Sequence, residues 1–270
     1  MKIANRKFEL GTQTFIFGIL NVTPDSFFDG GKFFDVDCAV RHAVEMIKDG
    51  ADILDIGGQS TRPDYLQISA EQELDRVLPV LKALKNYTDV PISIDTYFAK
   101  VADVALSNGA SIVNDIWGLQ YDSKMASTIA KHNAACCIMH NKKCNRYENL
   151  IPDILLQLQE CVTMALSNGV DKERIIVDPG IGFAKDTEQS LKVLQTLEIF
   201  KTLELPTLLG ISNKSVFHYF GLDKSERLEV TLASSVYAAS CGIDFVRVHD
   251  VKATKRALMF ADSMYRKIKK

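Results

Sequence analysis

Residues 92–115 read ISIDTYFAKVADVALSNGASIVND. A short apolar run, Ile92 to Asp95, ends on a carboxylate, and a segment of helical length follows it. Asn108-Gly109 closes that segment, and a second short run, Ser111 to Asn114, ends on polar groups again. Glycine just past a helix end takes the left-handed conformation that turns a chain back towards a sheet. The stretch therefore predicts one strand, one helix and a second parallel strand, with polar residues at the strand tips.

The unit recurs on both sides. Candidate strands are Phe15 to Asn21, Asp52 to Ile56, Ile92 to Asp95, Ser111 to Asn114, Ala134 to His140, Ile175 to Asp178, Thr207 to Ile211 and Asp244 to His249. Ala70 to Leu84 carries Leu74, Val77, Leu78, Leu81 and Leu84 at helical spacing, and Ser190 to Leu203 repeats the habit. The Asn108-Gly109 ending returns as Asp49-Gly50, Asn168-Gly169 and Cys241-Gly242. Eight strand–helix repeats without a linker predict an α/β fold, a (β/α)8 TIM barrel forming a single domain over residues 1–270. Lys7 to Thr14 reads as a short N-terminal β-hairpin capping the barrel's lower mouth.

Composition narrows the function classes. Thirty-two Lys and Arg against 34 Asp and Glu leave a net charge of −2, with no long run of one sign. That balance predicts no nucleic-acid partner and no membrane surface. Lys142-Lys143 and the basic residues from Arg266 onward read as solvated surface. Six scattered cysteines, Cys38, Cys136, Cys137, Cys144, Cys161 and Cys241, read as reduced thiols of a cytoplasmic protein. The apolar run from Thr14 to Leu20 is far too short to span a bilayer.

In a barrel, side chains at the C-terminal strand ends converge on one mouth. Here those ends carry Asn21, Asp55, Asp95, Asn114 with Asp115, His140, Asp178, Ser212 with Lys214, and Arg247 with His249. A single carboxylate after a strand is ordinarily a turn former or cap. Eight polar ends on one rim point to a binding site instead. Asp95, Asn114 and Asp178 suit the N–H and carbonyl edge of a flat heterocycle, because a carboxylate accepts two parallel N–H bonds and an amide both donates and accepts. Arg62, Lys214, Arg247 and His249 suit an anion such as a phosphorylated group.

The residues at these tips resemble the dihydropteroate synthases, a pterin-binding barrel family, over essentially the whole chain. The matching segments begin with Asn21-Val22-Thr23-Pro24-Asp25-Ser26-Phe27-Phe28-Asp29-Gly30-Gly31 and Asp55-Ile56-Gly57-Gly58-Gln59-Ser60-Thr61-Arg62-Pro63. Ser93 to Tyr97, Val113 to Ile116, Met139-His140, Asp178 to Phe183, Ser212 to Ser215 and Arg247 to Val251 follow in order. The resemblance implies a transferase that condenses 6-hydroxymethyl-7,8-dihydropterin pyrophosphate with p-aminobenzoate to 7,8-dihydropteroate and pyrophosphate, and a sulfonamide target. It places the pterin on Asp95, Asn114 and Asp178 with Lys214 beside it. It places the pyrophosphate on Asn21, Arg247 and His249, with Asn21 ligating Mg2+. Thr61, Arg62, Pro63, Phe183 and Ser215 match the aminobenzoate side, and a homodimer through late helices is implied.

The substrates suggest an SN1-like path in which the pterin methylene becomes electron-poor and Asp95 stabilises the developing cation. The glycine pairs Gly30-Gly31 and Gly57-Gly58 suggest lids, with Asp25 and Phe27 important for turnover. Departures from the family pattern are Gln59, Asp64, Gln189-Ser190, Asn213 and Val230. Asn213 bears on the aminobenzoate pocket because it lacks the fixed charge of the usual Arg. Two alternatives share the pterin residues: a methyltransferase moving a methyl from methyltetrahydrofolate to a corrinoid protein, and a pterin-binding protein without catalysis. Neither requires the Asn21-to-Gly31 loop together with Arg247 and His249.

Overall fold

The computed structural model describes residues 1–23, 36–59, 67–85 and 87–266. A two-stranded antiparallel hairpin, β1 (Lys2–Ile3) and β2 (Arg6–Lys7), opens the chain. Eight parallel strands follow: β3 (Phe15–Asn21), β4 (Ile53–Gly57), β5 (Ile92–Asp95), β6 (Ile112–Asp115), β7 (Ala135–Met139), β8 (Ile175–Asp178), β9 (Leu208–Gly210) and β10 (Phe245–Val248). Their order is β8-β7-β6-β5-β4-β3-β10-β9, and a parallel bridge from Val177 to Thr207 joins the two ends into a barrel. Helices α1 (Val36–Lys48), α2 (Ala70–Leu84), α3 (Ala99–Ser107), α4 (Met125–Lys131), α5 (Leu150–Ser167), α6 (Thr187–Gln195), α7 (Leu228–Ser240) and α8 (Val251–Tyr265) alternate with the strands.

The sequence dictates these bounds locally. Ser69 caps α2 in a reciprocal box with Gln72, as a Ser followed three residues later by Gln allows. Gly50, Gly109, Gly169 and Gly242 all take positive φ, between 81 and 117°, as the recurrent helix endings require. The segment expected as one helix from Ser190 to Leu203 is instead two: α6 ends at Gln195, Thr196 takes φ −123°, and a 3-10 turn covers Leu197–Leu203. Apolar periodicity survives such a break because both pieces press the same face onto the barrel.

The hairpin also lies earlier than Lys7 to Thr14, because Ala4 supplies the left-handed turn residue (φ 50°) between β1 and β2. Its expected capping role holds. Ile3 and Phe8 are fully buried with Phe15, Phe17, Ile53, Ile112, Ala135, Cys137, Ile176, Leu208 and Phe245, the inward side chains of the barrel's lower half. Phe8 meets Phe15 edge-on with ring centroids 5.0 Å apart. Truncating a phenylalanine in such a setting costs about 3–5 kcal/mol, so the hairpin is part of the core. Arg6 ties it down by pairing with Asp52, whose Oδ2 also accepts from Ile16 N at 3.0 Å. The larger core lies between sheet and helices, where Leu20, Leu54, Ile56, Val113, Ile138, Val177 and Val246 face outward. This two-layer packing leaves the upper barrel mouth for polar groups.

Candidate active site

On five of the eight strands the inward residues change from apolar to polar towards the C-terminal end: Phe15, Phe17, Ile19 and Asn21 on β3, Ile53 and Asp55 on β4, Ile112 and Asn114 on β6, Ile176 and Asp178 on β8, Phe245 and Arg247 on β10. Strand alternation explains this, since every second residue shares a face. Register places Asn21 beside Gly57, Gly57 beside Asp95 and Asp95 beside Asn114. The same parity sends Asp115 away from the mouth. Its carboxylate accepts from Trp117 N (2.8 Å) and Leu119 N (3.1 Å), so it is a turn former.

Asp55 is the hub of the mouth. Fully buried, its Oδ2 accepts from Arg247 Nε at 2.5 Å and from Asn114 Nδ2 at 3.1 Å. Arg247 Nη2 donates to Asp95 Oδ2 at 2.6 Å. With its nitrogen engaged below, Asn114 offers its Oδ1 to a ligand. Among the described residues, Oδ1 of Asp55 and Oδ1 of Asp95 are buried without a hydrogen-bond partner. An unpaired buried carboxylate oxygen is costly unless a ligand completes it. Asp178 Oδ1 accepts from Gly180 N at 2.7 Å. Its Oδ2 borders the space left by Gly210, where a Cβ would stand 3.5 Å away. Gly57 likewise leaves room beside Asn21 and Asp95.

The electrostatics follow from burial opposed by charge. Burial pushes both Asp95 and Asp178 up to about 6. For Asp95, Arg247 acts against that rise and Asp55 adds to it. Burial brings Lys214 down to about 8, with Arg247 contributing. Burial alone would lower the Arg247 guanidinium, but Asp55 and Asp95 hold it above its usual value.

Opposite the carboxylates, Ser212 Oγ lies 2.9 Å from His249 Nδ1 and accepts from His249 N at 3.2 Å. When its hydrogen is donated to Nδ1, the imidazole proton sits on Nε2. Lys214 Nζ sits 4.1 Å from the centroid of the Phe183 ring. Tyr97, Ile116 and Met139, packed with Phe98, Trp117 and Phe183, form an apolar collar at the same end. The buried Arg227 staples the loop after β9, donating to the carbonyls of Asn213 (3.2 Å), Lys214 (3.4 Å) and Leu222. Asn213 itself takes φ 57°, a left-handed conformation that Asn tolerates.

The fold thus brings Asn21, Asp95, Asn114, Asp178, Phe183, Lys214, Arg247 and His249 to one mouth. Asp25, Phe27, Thr61, Arg62, Pro63 and the Ser215 side chain lie outside the described residues, as does the loop expected as a first lid. In the sequence Asp55 and Ser212 read only as polar strand ends, without a role. Asp55's place in the register, inward and below Gly57, is the signal that could have singled it out. Two departures acquire plain roles: Gln189 completes a capping box with Asp186 and donates to Asn145 O at 3.0 Å, and Gln59 Nε2 donates to Tyr97 Oη at 2.7 Å. A mouth that gathers buried acceptors beside cations suits a flat heterocycle carrying an anionic leaving group.

Comparison with known proteins gives the same direction. A family profile described as pterin binding enzyme matches residues 17–249. The chain is 50% identical over 269 residues to the dihydropteroate synthase of Clostridium beijerinckii, covering 99% of this chain and 100% of that one. It is 49% identical over 256 residues to the Bacillus subtilis dihydropteroate synthase, covering 94% and 90%. Among solved structures, the Clostridium difficile dihydropteroate synthase in the presence of pteroic acid superposes with a TM-score of 0.94 at 48% identity, covering 97% and 100%. The Yersinia pestis dihydropteroate synthase in a sulfonamide drug complex gives 0.91 at 35% identity, covering 98% of each chain.

Proposed function

The chain belongs to the pterin-binding enzymes and, among them, to the dihydropteroate synthases; from that membership we propose how its own residues carry the reaction. It condenses 6-hydroxymethyl-7,8-dihydropterin pyrophosphate with p-aminobenzoate, releasing pyrophosphate and 7,8-dihydropteroate. The observation that carries the assignment of roles is the gathering at one mouth of acceptors on Asp95, Asn114 and Asp178 with the donors Lys214, Arg247 and His249, with Asp95 Oδ1 buried and, among the described residues, unpartnered. The amino-pyrimidinone edge of the pterin donates to Asp178 and to Asn114 Oδ1. Asp95, bonded to Arg247 and with its Oδ1 unpartnered among the described residues, stabilises positive charge at the pterin methylene.

The C–O bond to pyrophosphate breaks and its electron pair leaves with the pyrophosphate. The aniline nitrogen then forms the C–N bond and gives up a proton to solvent. That nitrogen is neutral at working pH, so no general base is required to unmask it. Arg247 and the Nε2 proton of His249 neutralise charge on the departing oxygens.

Magnesium fits this rim. Asn21 contributes one neutral oxygen at the end of β3, and among the described residues no cluster of His, Cys, Asp and Glu forms a dedicated cage. Magnesium riding on substrate phosphates keeps most of its waters and needs few protein ligands, and it supplies charge neutralisation of the leaving group when bound. Asn21 would hold it. Sulfonamides, as analogues of the aminobenzoate, would occupy the side of the mouth where Phe183 and Lys214 stand.

A dissociative path has a direct kinetic test. Across para-substituted anilines of different basicity, kcat stays nearly constant while KM varies. A kcat that climbs steeply with amine basicity would contradict it. Ser212 offers a second test. Ser212→Ala frees the His249 tautomer and is expected to lower kcat about tenfold, the worth of one ordinary hydrogen bond. KM for the pterin substrate should barely move, and an unchanged kcat would remove Ser212 from the account.

Two further expectations concern the whole chain. Tyr237, Met259, Phe260, Met264 and Tyr265 are large apolar side chains exposed on α7 and α8, which supports a homodimer through these helices. Light scattering should then give twice the 30.1 kDa chain mass, and a Phe260→Asp variant should give one. All six cysteines are free, and among the described residues no helix is long and apolar enough to cross a membrane. The free thiols support a cytoplasmic location.

A further inference from the structure

The loop after β8 winds through three left-handed residues in five: Gly180 (φ 69°), Gly182 (φ 76°) and Ala184 (φ 46°). At Gly180 the backbone presses so close to the end of β7 that a Cβ would stand 2.1 Å from His140 O. Such a course turns carbonyl oxygens inward, and one side chain collects them. Lys185 is buried at 8% exposure, and its Nζ donates to Gly180 O at 3.0 Å and to Phe183 O at 3.1 Å. Its third partner is His140 Nδ1, 2.8 Å away. His140 Nε2 in turn lies 2.7 Å from Gln157 Oε1 on α5. The glutamine oxygen accepts, so the imidazole proton sits on Nε2 and Nδ1 offers its lone pair to the ammonium. Burial, with Lys185 contributing, holds His140 down at about 3, so the ring is neutral.

Three N–H donors thus meet three acceptors, and all three acceptors are uncharged. A buried ammonium satisfied only by neutral groups is expensive for a core, while an apolar residue in its place would leave three acceptors without a donor. What the charge provides is geometry: it fixes the carbonyls on either side of the segment that presents Phe183. The Phe183 ring then lies under Lys214 Nζ.

We propose that Lys185 is a positioning residue for the aromatic-amine subsite, its ammonium fixing the loop 180–184, with His140 and Gln157 behind it, so that Phe183 and Lys214 form the wall that seats the aminobenzoate ring. The proposal rests on the reading above that the second substrate is an aminobenzoate. Asp178 on β8 favours the charged ammonium, while Lys214 after β9 and Lys142 after β7 disfavour it. Burial, the largest influence, brings the group down to about 7. As pH rises through that value the neutral amine has two N–H donors for three acceptors, and the loop loosens.

The test separates the two substrates. Lys185→Met keeps the stem and removes the donors. It is expected to raise KM for p-aminobenzoate about tenfold near pH 6.5, with dihydropterin affinity changed by less than about twofold, since Asp178 lies on the strand itself. In the wild type the same KM should climb as pH rises through about 7, and that step should vanish in the variant, leaving only the rise near pH 8 that belongs to Lys214. An unchanged aminobenzoate KM, or equal losses for both substrates, overturns the proposal. Should Lys185→Met fail to fold, Gln157→Leu removes the far end of the chain of bonds, and a smaller rise confined to the aminobenzoate KM is expected. No rise there overturns it as well. A wild type that forms no dihydropteroate would sink the reaction assignment itself, a different failure from a wild type that turns over beside a variant with unaltered KM.

Discussion

Asp178→Asn is expected to lower kcat/KM for the dihydropterin pyrophosphate by roughly 10²–10⁴-fold, since two charge-assisted bonds of about 1.5–3 kcal/mol each are lost. The substitution is nearly isosteric, and Asp178 Oδ1 already accepts from Gly180 N, so the amide has two poor choices. Turned one way, its NH2 faces the N–H of Gly180. Turned the other way, it faces the N–H edge of the pterin. Titration calorimetry with the dihydropterin checks the loss without turnover. The wild type should show a milder version as a function of pH: burial lifts Asp178 and Asp95 to about 6, so pterin affinity is full above that value and declines as pH falls through it. An Asp178→Asn variant with near-normal pterin affinity, or a wild-type affinity flat from neutral pH to pH 5, would remove this carboxylate from the recognition scheme.

The second large effect is expected from Arg247→Met, which acts on stability and on turnover at once. The guanidinium bridges Asp55 and Asp95, and breaking a buried pair by removing one partner typically costs 3–5 kcal/mol, here roughly the lower figure because Asp95, already lifted to about 6, can take up a proton. That proton gives the sign of the pH dependence. Without Arg247 the folded-state pKa of Asp95 rises further above its unfolded value. The variant is therefore least handicapped at low pH and loses stability as pH rises through the folded pKa. Urea midpoints should converge with the wild type towards pH 5 and diverge above pH 6. At a pH where both are folded, kcat should also fall by about 10²–10³, the usual cost of deleting one donor to a developing anion. A variant with wild-type kcat would show that pyrophosphate leaves without this arginine.

Much of this site was legible in residues 92–115 and their repeats. Strand ends and helix endings are local signals, set by glycine conformations and by runs of Ile and Val, so the barrel and its polar rim followed directly. Asp115 shows the limit of that reading. It sits one residue past Asn114, yet strand alternation turns it outward to form a turn, and only the register separates the two. Asp55 shows the converse: its importance comes from three strands meeting across the barrel, β4, β6 and β10, and no window along the chain contains them all. Lys185 lay hidden for the same reason, its partners coming from β7, α5 and its own loop. The break at Thr196 escaped notice because a helix and a 3-10 turn bury the same apolar face.

The most direct test of the central claim follows both products at once. The protein is mixed with 6-hydroxymethyl-7,8-dihydropterin pyrophosphate and Mg2+, with and without p-aminobenzoate, and pyrophosphate and 7,8-dihydropteroate are quantified. Equal amounts of the two products, formed only with the amine present and strongly reduced in Asp178→Asn and Arg247→Met, are the predicted result. No dihydropteroate from the folded wild-type protein, or undiminished product from both variants, would contradict it.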